Sequence, residues 1–433
     1  MNTWPEFEIG PLRKALESLG GTLKNWTVLS EPVDPFRVDT PANHRDGRWL
    51  ADTMARLDIG RIIHNRGLHY VLLNQPKPDG DMYSTADWDW LEGVSKVARW
   101  LNYIPYDQIT DERNAEPVLR LWTPPQPKPY IAVDFDVVVP DAYDLEPYVE
   151  VAEFTGTQPY HLALIGEKSS LDSVLGPLAD RYQADLYLPT GCISNTRVYQ
   201  LAASANNDGR PLVVLYFSDC DPSGWNMPIE VARKLQAFKI SHFPDLEFQC
   251  HRAALLPEQV RQYGLPVSPV KETDKRAKAW AAATGLEQTE IDALATLQPR
   301  LLRAIAEQAI APFYDRTLEA RVNDARDEWR DQAQSALNEQ GGDLEQLRSD
   351  VADQLAEKRD EIHELLDAVR VDADSFDLPP LPEIPAAELG PDGSKPKGLC
   401  DSRWDFAEQT RRLIASKNYE DCEVSGEPGA GVR

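Results

Sequence analysis

From Tyr160 to Cys250 short apolar runs alternate with longer helix-forming stretches, and this alternation limits the fold more than any other feature of the chain. The apolar runs are His161–Ile165, Asp185–Leu188, Leu212–Phe217 and Leu246–Cys250, and the helical stretches between them are Ser169–Tyr182, Asn195–Ala205 and Asn226–Ala237. Parallel neighbouring strands need a crossover long enough to bring the chain back to the same edge, so this pattern predicts βαβ units around a parallel sheet. The fold class is therefore α/β. In such sheets functional groups collect beyond the carboxyl ends of the strands.

The flanking regions are of other kinds. Residues 1–46 offer one amphipathic helix, Pro11 to Leu19, ended by Gly20-Gly21 and followed by a Pro-rich passage that reads as an N-terminal extension. Over residues 47–125 three helical patterns follow: Trp49, Leu50, Met54 and Leu57 after Asp46, then Asn65 to about Leu73, then Thr85 to Leu101 with Trp88, Leu91, Val94, Ser95 and Ala98 on one face. Three short helices with a following extended segment suit a helix-turn-helix or winged-helix domain. After Pro124-Pro125-Gln126-Pro127, a β run from Tyr130 to Val139 and a helix beginning near Leu145 open the α/β region, assigned to 126–315. Charged, helix-forming sequence continues to Arg370, and residues 316–375 read as a C-terminal helical arm with an apolar stripe too sparse to build a domain. From 376 to 433, Pro- and Gly-rich sequence reads as a flexible linker and tail.

Charge narrows the partners. The 433 residues carry a net charge of -26, and residues 319–433 hold 28 Asp and Glu against 14 Lys and Arg, a balance of −14 that leaves −12 for the rest. An acidic chain repels a phosphate backbone at long range, which excludes a basic DNA-coating protein and requires any nucleic-acid function to rest on a local basic groove or on carboxylates that hold a cation. Hydrophobic content of 42% excludes wholesale disorder. The five cysteines, Cys192, Cys220, Cys250, Cys400 and Cys422, form no C-x-x-C pair, which fits reduced thiols in a cytoplasm. No signal-peptide pattern or apolar run of membrane length is present, so no membrane partner is expected.

Two strand ends supply acids. Leu164-Ile165-Gly166 leads into Glu167-Lys168, and Leu215-Tyr216-Phe217-Ser218 leads into Asp219-Cys220-Asp221-Pro222-Ser223-Gly224. In a parallel sheet both loops lie on one edge, so Glu167, Asp219 and Asp221 can converge. Crowded carboxylates repel unless one stays protonated or a hard cation neutralises them, and Mg2+ with a few carboxylates, water and phosphate oxygens points to phosphoryl-transfer chemistry. A second Asp-x-Asp, Asp134 and Asp136, lies inside a β run without the Pro-x-Gly turn and reads as a solvated strand face. The scattered histidines form no zinc pattern, and neither a nucleotide-binding glycine motif nor a G-x-S-x-G turn occurs.

This order of features, strand-Glu-Lys, then Gly191 with Thr196-Arg197, then strand-Asp-x-Asp-Pro-x-Gly, resembles the Toprim domain of the topoisomerase VI A subunit and the related meiotic double-strand-break proteins, in its bacterial or phage branch. Ala254-Leu-Leu-Pro-Glu-Gln-Val260, the turn from Lys271 to Asp274 and Glu290-Ile-Asp-Ala-Leu294 resemble the family's C-terminal portion. More faintly, Arg66-Gly67-Leu68-His69-Tyr70-Val71-Leu72, with Tyr83, Leu91, Arg99 and Ile104-Pro105-Tyr106-Asp107, is similar to its winged-helix nucleophile domain, although His69-Tyr70 stands where the family has two tyrosines. The resemblance implies Mg2+ held by Glu167, Asp219 and Asp221, and Tyr70 as the nucleophile; Arg66, one helical turn from Tyr70, can share its face and assist it. It further implies a homodimer in which one subunit's Tyr works with the other's metal, double-stranded DNA as substrate, and a separate ATPase subunit if strands are passed. Arg197, Lys275, Arg276 and Lys278 are the candidate DNA contacts. A hydrolytic Toprim nuclease of a defence or mobile-element system, in which water replaces Tyr70, and a non-enzymatic DNA-binding protein are the alternatives.

Overall fold

The computed structural model describes residues 10–60, 62–110, 116–120, 122–133, 147–270, 274–340, 342–357, 371–389 and 398–420. The chain forms two compact units, one of Met1–Leu121, Tyr160–Phe313 and Pro391–Arg433, the other of Trp122–Pro159 and Tyr314–Gly390. It is a mixed α/β protein whose main sheet has five strands, mostly parallel.

The first unit opens with α1 (Pro11–Glu17), α2 (Pro41–Arg56), the short strand β1 (Ile63–His64), α3 (Asn65–Leu72), α4 (Trp88–Trp100) and β2 (Ile109–Thr110). The Thr40 hydroxyl caps α2 and places Pro41 in its first turn, where a missing N–H costs nothing. Leu50, Met54, Leu68, Leu72, Leu91, Val94 and Ala98 close one apolar core between these helices. The extended segment after α4 pairs Ile109 with Ile63 in parallel. A hairpin-like turn also stands between α3 and α4, with Pro76 bridged to Met82.

The two-stranded hairpin of the second unit comes next, β3 (Lys128–Val133) and β4 (Pro147–Ala152). The chain then returns to the first unit with β5 (His161–Gly166), α5 (Asp172–Tyr182), β6 (Asp185–Tyr187), α6 (Asn195–Asp208), β7 (Leu212–Phe217), α7 (Pro222–Ser241), β8 (Phe248–Ala254), α8 (Pro257–Tyr263), α9 (Ala277–Thr284), α10 (Ile291–Leu297) and α11 (Pro299–Ile310). The second unit resumes with α12 (Leu318–Gln340) and α13 (Gly342–Glu357), and the first ends with β9 (Gly398–Asp401) and α14 (Phe406–Lys417).

Strand order in the sheet is β6-β5-β7-β8-β9, with β6, β5, β7 and β8 parallel and β9 antiparallel on the edge. Every residue of β5, β7 and β8 is buried, as strands covered on both faces require. The chain leaves β5 toward β6 on one side and leaves β7 toward β8 on the other. The strand order thus reverses between β5 and β7, and a crevice opens beyond their carboxyl ends.

Three expectations are corrected. The helix expected near Leu145 is the strand β4 over its described part: Val149 and Val151 face inward while Tyr148 is exposed, a period of two. The 316–375 arm is no bare arm, because Leu318, Val322, Trp329, Ala333 and Leu337 of α12 are buried with Ile131, Val149, Val151 and Phe154 in a core of their own. The Gln334 side chain extends this packing, accepting from the Val149 N–H at 2.9 Å and donating to the Pro147 carbonyl at 3.1 Å. Within the segment taken as linker and tail, β9 pairs with β8, and α14, capped by Asp405, packs on α7. Residues 376–387 also pack on the second unit's core through Phe376, Leu378, Leu381 and Ile384. Asp134 and Asp136 lie outside the described residues.

The N-terminal extension is bound into the first unit by buried charge. Asp34 and Arg233 are both 0% exposed and paired at 3.2 Å, and the guanidinium lies 3.8 Å from the centre of the Phe36 ring. Asp34 also accepts from the backbone N–H groups of Val28, Leu29 and Phe36. A buried ion pair is tolerable only when its remaining hydrogen-bonding capacity is met in this way. Among the described residues no helix is long and apolar enough to cross a membrane.

Candidate functional site

The Asp219–Gly224 turn shows why its residues stand at that spacing. Asp221 caps α7, its Oδ1 accepting from the Gly224 N–H at 2.7 Å, and Pro222 occupies the first helical turn. A Cβ on Gly224 would lie 2.2 Å from the Asp219 carbonyl oxygen, so only glycine lets the β7 end approach the first turn of the helix this closely. The Ser218 hydroxyl donates to the Gly224 carbonyl at 3.0 Å and secures the same approach.

Glu167 follows β5 directly. Its backbone N–H donates to the Phe217 carbonyl at 2.9 Å, and its carbonyl accepts from Gly191 at 3.0 Å. The side chain turns toward the neighbouring strand end, where Oε2 accepts the Asp219 N–H at 3.0 Å. Asp219 in turn accepts the Ile291 N–H on Oδ1 at 2.8 Å, and its Oδ2 lies 2.8 Å from the Lys168 ammonium. A backbone exchange between Cys220 and Thr289 brings the next loop alongside, so that Glu290 and Asp292 reach the same ammonium, the latter at 3.2 Å.

Glu167, Lys168, Asp219, Asp221 and Glu290 line one cleft of about 820 Å³, together with Ser223, Asp274, Lys275 and Arg276. Crowding has electrostatic consequences. Burial, reinforced by the charge on Asp219, pushes the Glu167 carboxyl up to about 7. Burial likewise raises Asp219, to about 6, against the opposing hydrogen bond from Lys168. For Lys168 burial alone favours the neutral amine, but hydrogen bonds to Asp219 and Glu290 outweigh it and hold the ammonium above its ordinary value. Asp219 is thus paired directly with an ammonium, whereas among the described residues Glu167 forms no ion pair and burial holds its carboxyl well above its ordinary value.

Among the described residues no three His, Cys, Asp or Glu side chains stand as a ready-made cation cage. The donor chemistry nevertheless suits a hard divalent cation, since Glu167, Asp219 and Asp221 present carboxylate oxygens to one cleft and carry an electrostatic cost that a cation removes.

The other candidate residues divide. Lys275 and Arg276 line the cleft, and Arg276 is paired with Asp274 at 2.8 Å. Lys278 is exposed outside the cleft lining. Arg197 does not serve as a surface DNA contact. It is 3% exposed, and its guanidinium is held by both Glu116 oxygens, at 2.6 and 2.7 Å, and by Gln200 at 2.8 Å. Tyr70 is 63% exposed on α3, and Arg66, one turn earlier on that helix, is exposed as well. Neither lines the cleft. The ring beside Tyr70 is that of His69, at 5.4 Å between centroids. His69 is buried, with Nδ1 at 2.6 Å from the Tyr83 hydroxyl.

Lys168, Glu290 and Asp292 are the participants that sequence reasoning left without a role. The signal for Lys168 was its place directly after the strand-end Glu, since a cation among three carboxylates has electrostatic work to do. No protein-family model matches the chain, and no curated protein matches it.

Proposed function

We propose that the protein cleaves DNA strands with Mg2+ in the manner of topoisomerase VI A subunits, its five-stranded sheet acting as a Toprim domain and its N-terminal helices as a winged-helix nucleophile domain. The observation that carries this reading is the meeting of Glu167, Asp219 and Asp221 in one cleft at the point where the strand order reverses. Those three residues would hold the Mg2+, which would neutralise phosphate charge and stabilise the charge developing on the leaving oxygen. Lys275 and Arg276 hold the DNA backbone beside them, at the same cleft.

Tyr70 is the nucleophile. Its hydroxyl loses a proton, its oxygen bonds to phosphorus, and the 3′-oxygen of the neighbouring nucleotide leaves and takes up a proton, so that a 5′-phosphotyrosyl link remains. Exposure suits Tyr70 to this task, and Arg66 stands one turn away on the same helix. Because Tyr70 is outside its own chain's cleft lining, the reading places it against the cleft of a second copy in a homodimer. Any ATP-driven strand passage belongs to a separate subunit, and the free thiols of Cys192, Cys220, Cys250 and Cys400 suit a cytoplasmic enzyme.

A hydrolytic nuclease is the second reading, favoured by the same separation of Tyr70 from the cleft and by the burial of His69 where the family has another tyrosine. Denaturing gels after incubation with plasmid and Mg2+ separate the two. The transesterification reading expects a covalent protein–DNA adduct that Tyr70→Phe abolishes together with cleavage. Cleavage without adduct, undiminished in Tyr70→Phe, selects hydrolysis.

A further inference from the structure

The cleft already contains a cation, the Lys168 ammonium, and its position is the least explained feature of the site. It touches Asp219 Oδ2 at 2.8 Å, Asp292 at 3.2 Å and Glu290 more closely still, while the side chain stays 24% exposed. Of those three acids, only Asp219 belongs to the proposed metal set. Glu290 and Asp292 stand at the start of α10 and are themselves about 40% exposed, so they offer the ammonium a second seat nearer solvent.

We propose that Lys168 is a tethered counterion that competes with the divalent cation for Asp219, moving onto Glu290 and Asp292 when the metal binds. This inference rests on the metal-site reading above and deepens it by naming what sets the site's affinity. The physical argument is one of charge. Without metal, Lys168 offsets the repulsion among buried carboxylates and keeps the empty cleft folded. With metal, an ammonium left on the same oxygen would face a dication within a few ångströms, a repulsion that is large in any medium of lower dielectric than water. Two further carboxylates receive the displaced charge, so it need not be carried into solvent unpaired. Metal affinity is then held down by the work of moving Lys168, and the cleft is neutral enough to be stable until the metal arrives.

Titration of the full chain with Mn2+, followed by electron paramagnetic resonance of the free ion, tests this directly. Lys168→Met is expected to bind Mn2+ roughly tenfold more tightly than wild type, because a repelling unit charge is gone. Lys168→Arg keeps the charge and should stay near wild-type affinity. In the absence of metal Lys168→Met should melt earlier than wild type, and added Mn2+ should raise its melting temperature by more. A second measurement needs no variant: acetylation of Lys168 by a water-soluble reagent, read by mass spectrometry, should rise when saturating Mg2+ frees the ammonium from Asp219. Equal or weaker Mn2+ binding by Lys168→Met, or Lys168 labelling unchanged by Mg2+, overturns the competition while leaving the metal site standing. Absence of Mn2+ binding by wild type and variant alike removes the site itself.

Discussion

The two units bury charge very differently. The larger one encloses Asp34 with Arg233 and His161 with Asp185 and Asp208, buries Arg197 against an exposed Glu116, and holds the Glu167–Lys168–Asp219 group. In the smaller one Asp315, held by Thr317, Arg321 and the Glu388 N–H, is the buried charge among the described residues, and its core is otherwise the apolar stripe of α12 laid on β3 and β4. Apolar packing alone folds a small unit, whereas paired buried charges cost desolvation and persist where they tie distant segments together or serve chemistry. Asp34 and Arg233, 199 positions apart, join the N-terminal extension to α7, and the cleft acids sit beyond the sheet.

The largest test of this contrast is removal of residues from Pro391 onward. β9 and α14 leave with it, exposing the edge of β8 and a face of α7. Unfolding monitored in urea should lose the larger unit's transition and keep that of the smaller one.

Point substitutions follow. Arg233→Ala leaves Asp34 charged and buried without its partner and should destabilise the larger unit by about 3–5 kcal/mol. Trp329→Ala removes a ring that is 3% exposed and should cost the smaller unit about 3 kcal/mol or more. The two changes should act on separate transitions. A single shared transition shifted equally by both would erase the distinction between the units.

The cleft predicts a change of opposite sign. Glu167 has a folded-state pKa raised from 4.5 to about 7, so ionising it opposes folding, with a cost absent below about 4.5, growing as pH rises and complete above about 7. Glu167→Gln should therefore stabilise the metal-free protein by about 2–3 kcal/mol at pH 8 and by little at pH 4, measured in chelator. It should also be inactive, the usual relation where a site is built against stability.

A smaller pH effect comes from His161. Burial would lower its pKa, but hydrogen bonds to Asp185 and Asp208 outweigh that and raise it from 6.5 to about 9. Stability from these pairs is fully present below about 6.5 and is lost as pH rises through 9. The loss is moderated because Arg210 still holds Asp208, at 2.7 Å. His161→Asn should flatten the alkaline decline in melting temperature between those limits.

Legibility followed the range of the signal. Continuous runs such as Leu212–Phe217 and the Asp219–Gly224 turn state their structure locally, so the sheet and its acids were readable. In β4 the alternation of Val149 and Val151 with Tyr148 and Glu150 was also local, yet an expected helix nearby masked it. Asp405 with Glu408 three residues later was a helix-start signal for α14, obscured by the Pro- and Gly-rich sequence before it. No local pattern could pair Asp34 with Arg233 or show Arg197 held by Glu116, since each partner is remote in sequence. Arg197 looked like a phosphate contact because a lone arginine near a strand end carries no sign of its burial.

The central claim is that the acids at the β5 and β7 ends form a divalent-cation site for DNA cleavage. Nicking and linearisation of supercoiled plasmid across a Mg2+ titration, for wild type and Asp219→Asn, measures it most directly. Asp219→Asn keeps the side chain's shape and its acceptor for the Ile291 N–H while removing the charge. The account predicts cleavage by wild type that rises with Mg2+ and stops on chelation, and none above background for Asp219→Asn, which should still fold. Cleavage by Asp219→Asn equal to wild type, or cleavage by wild type that persists in chelator, would contradict it.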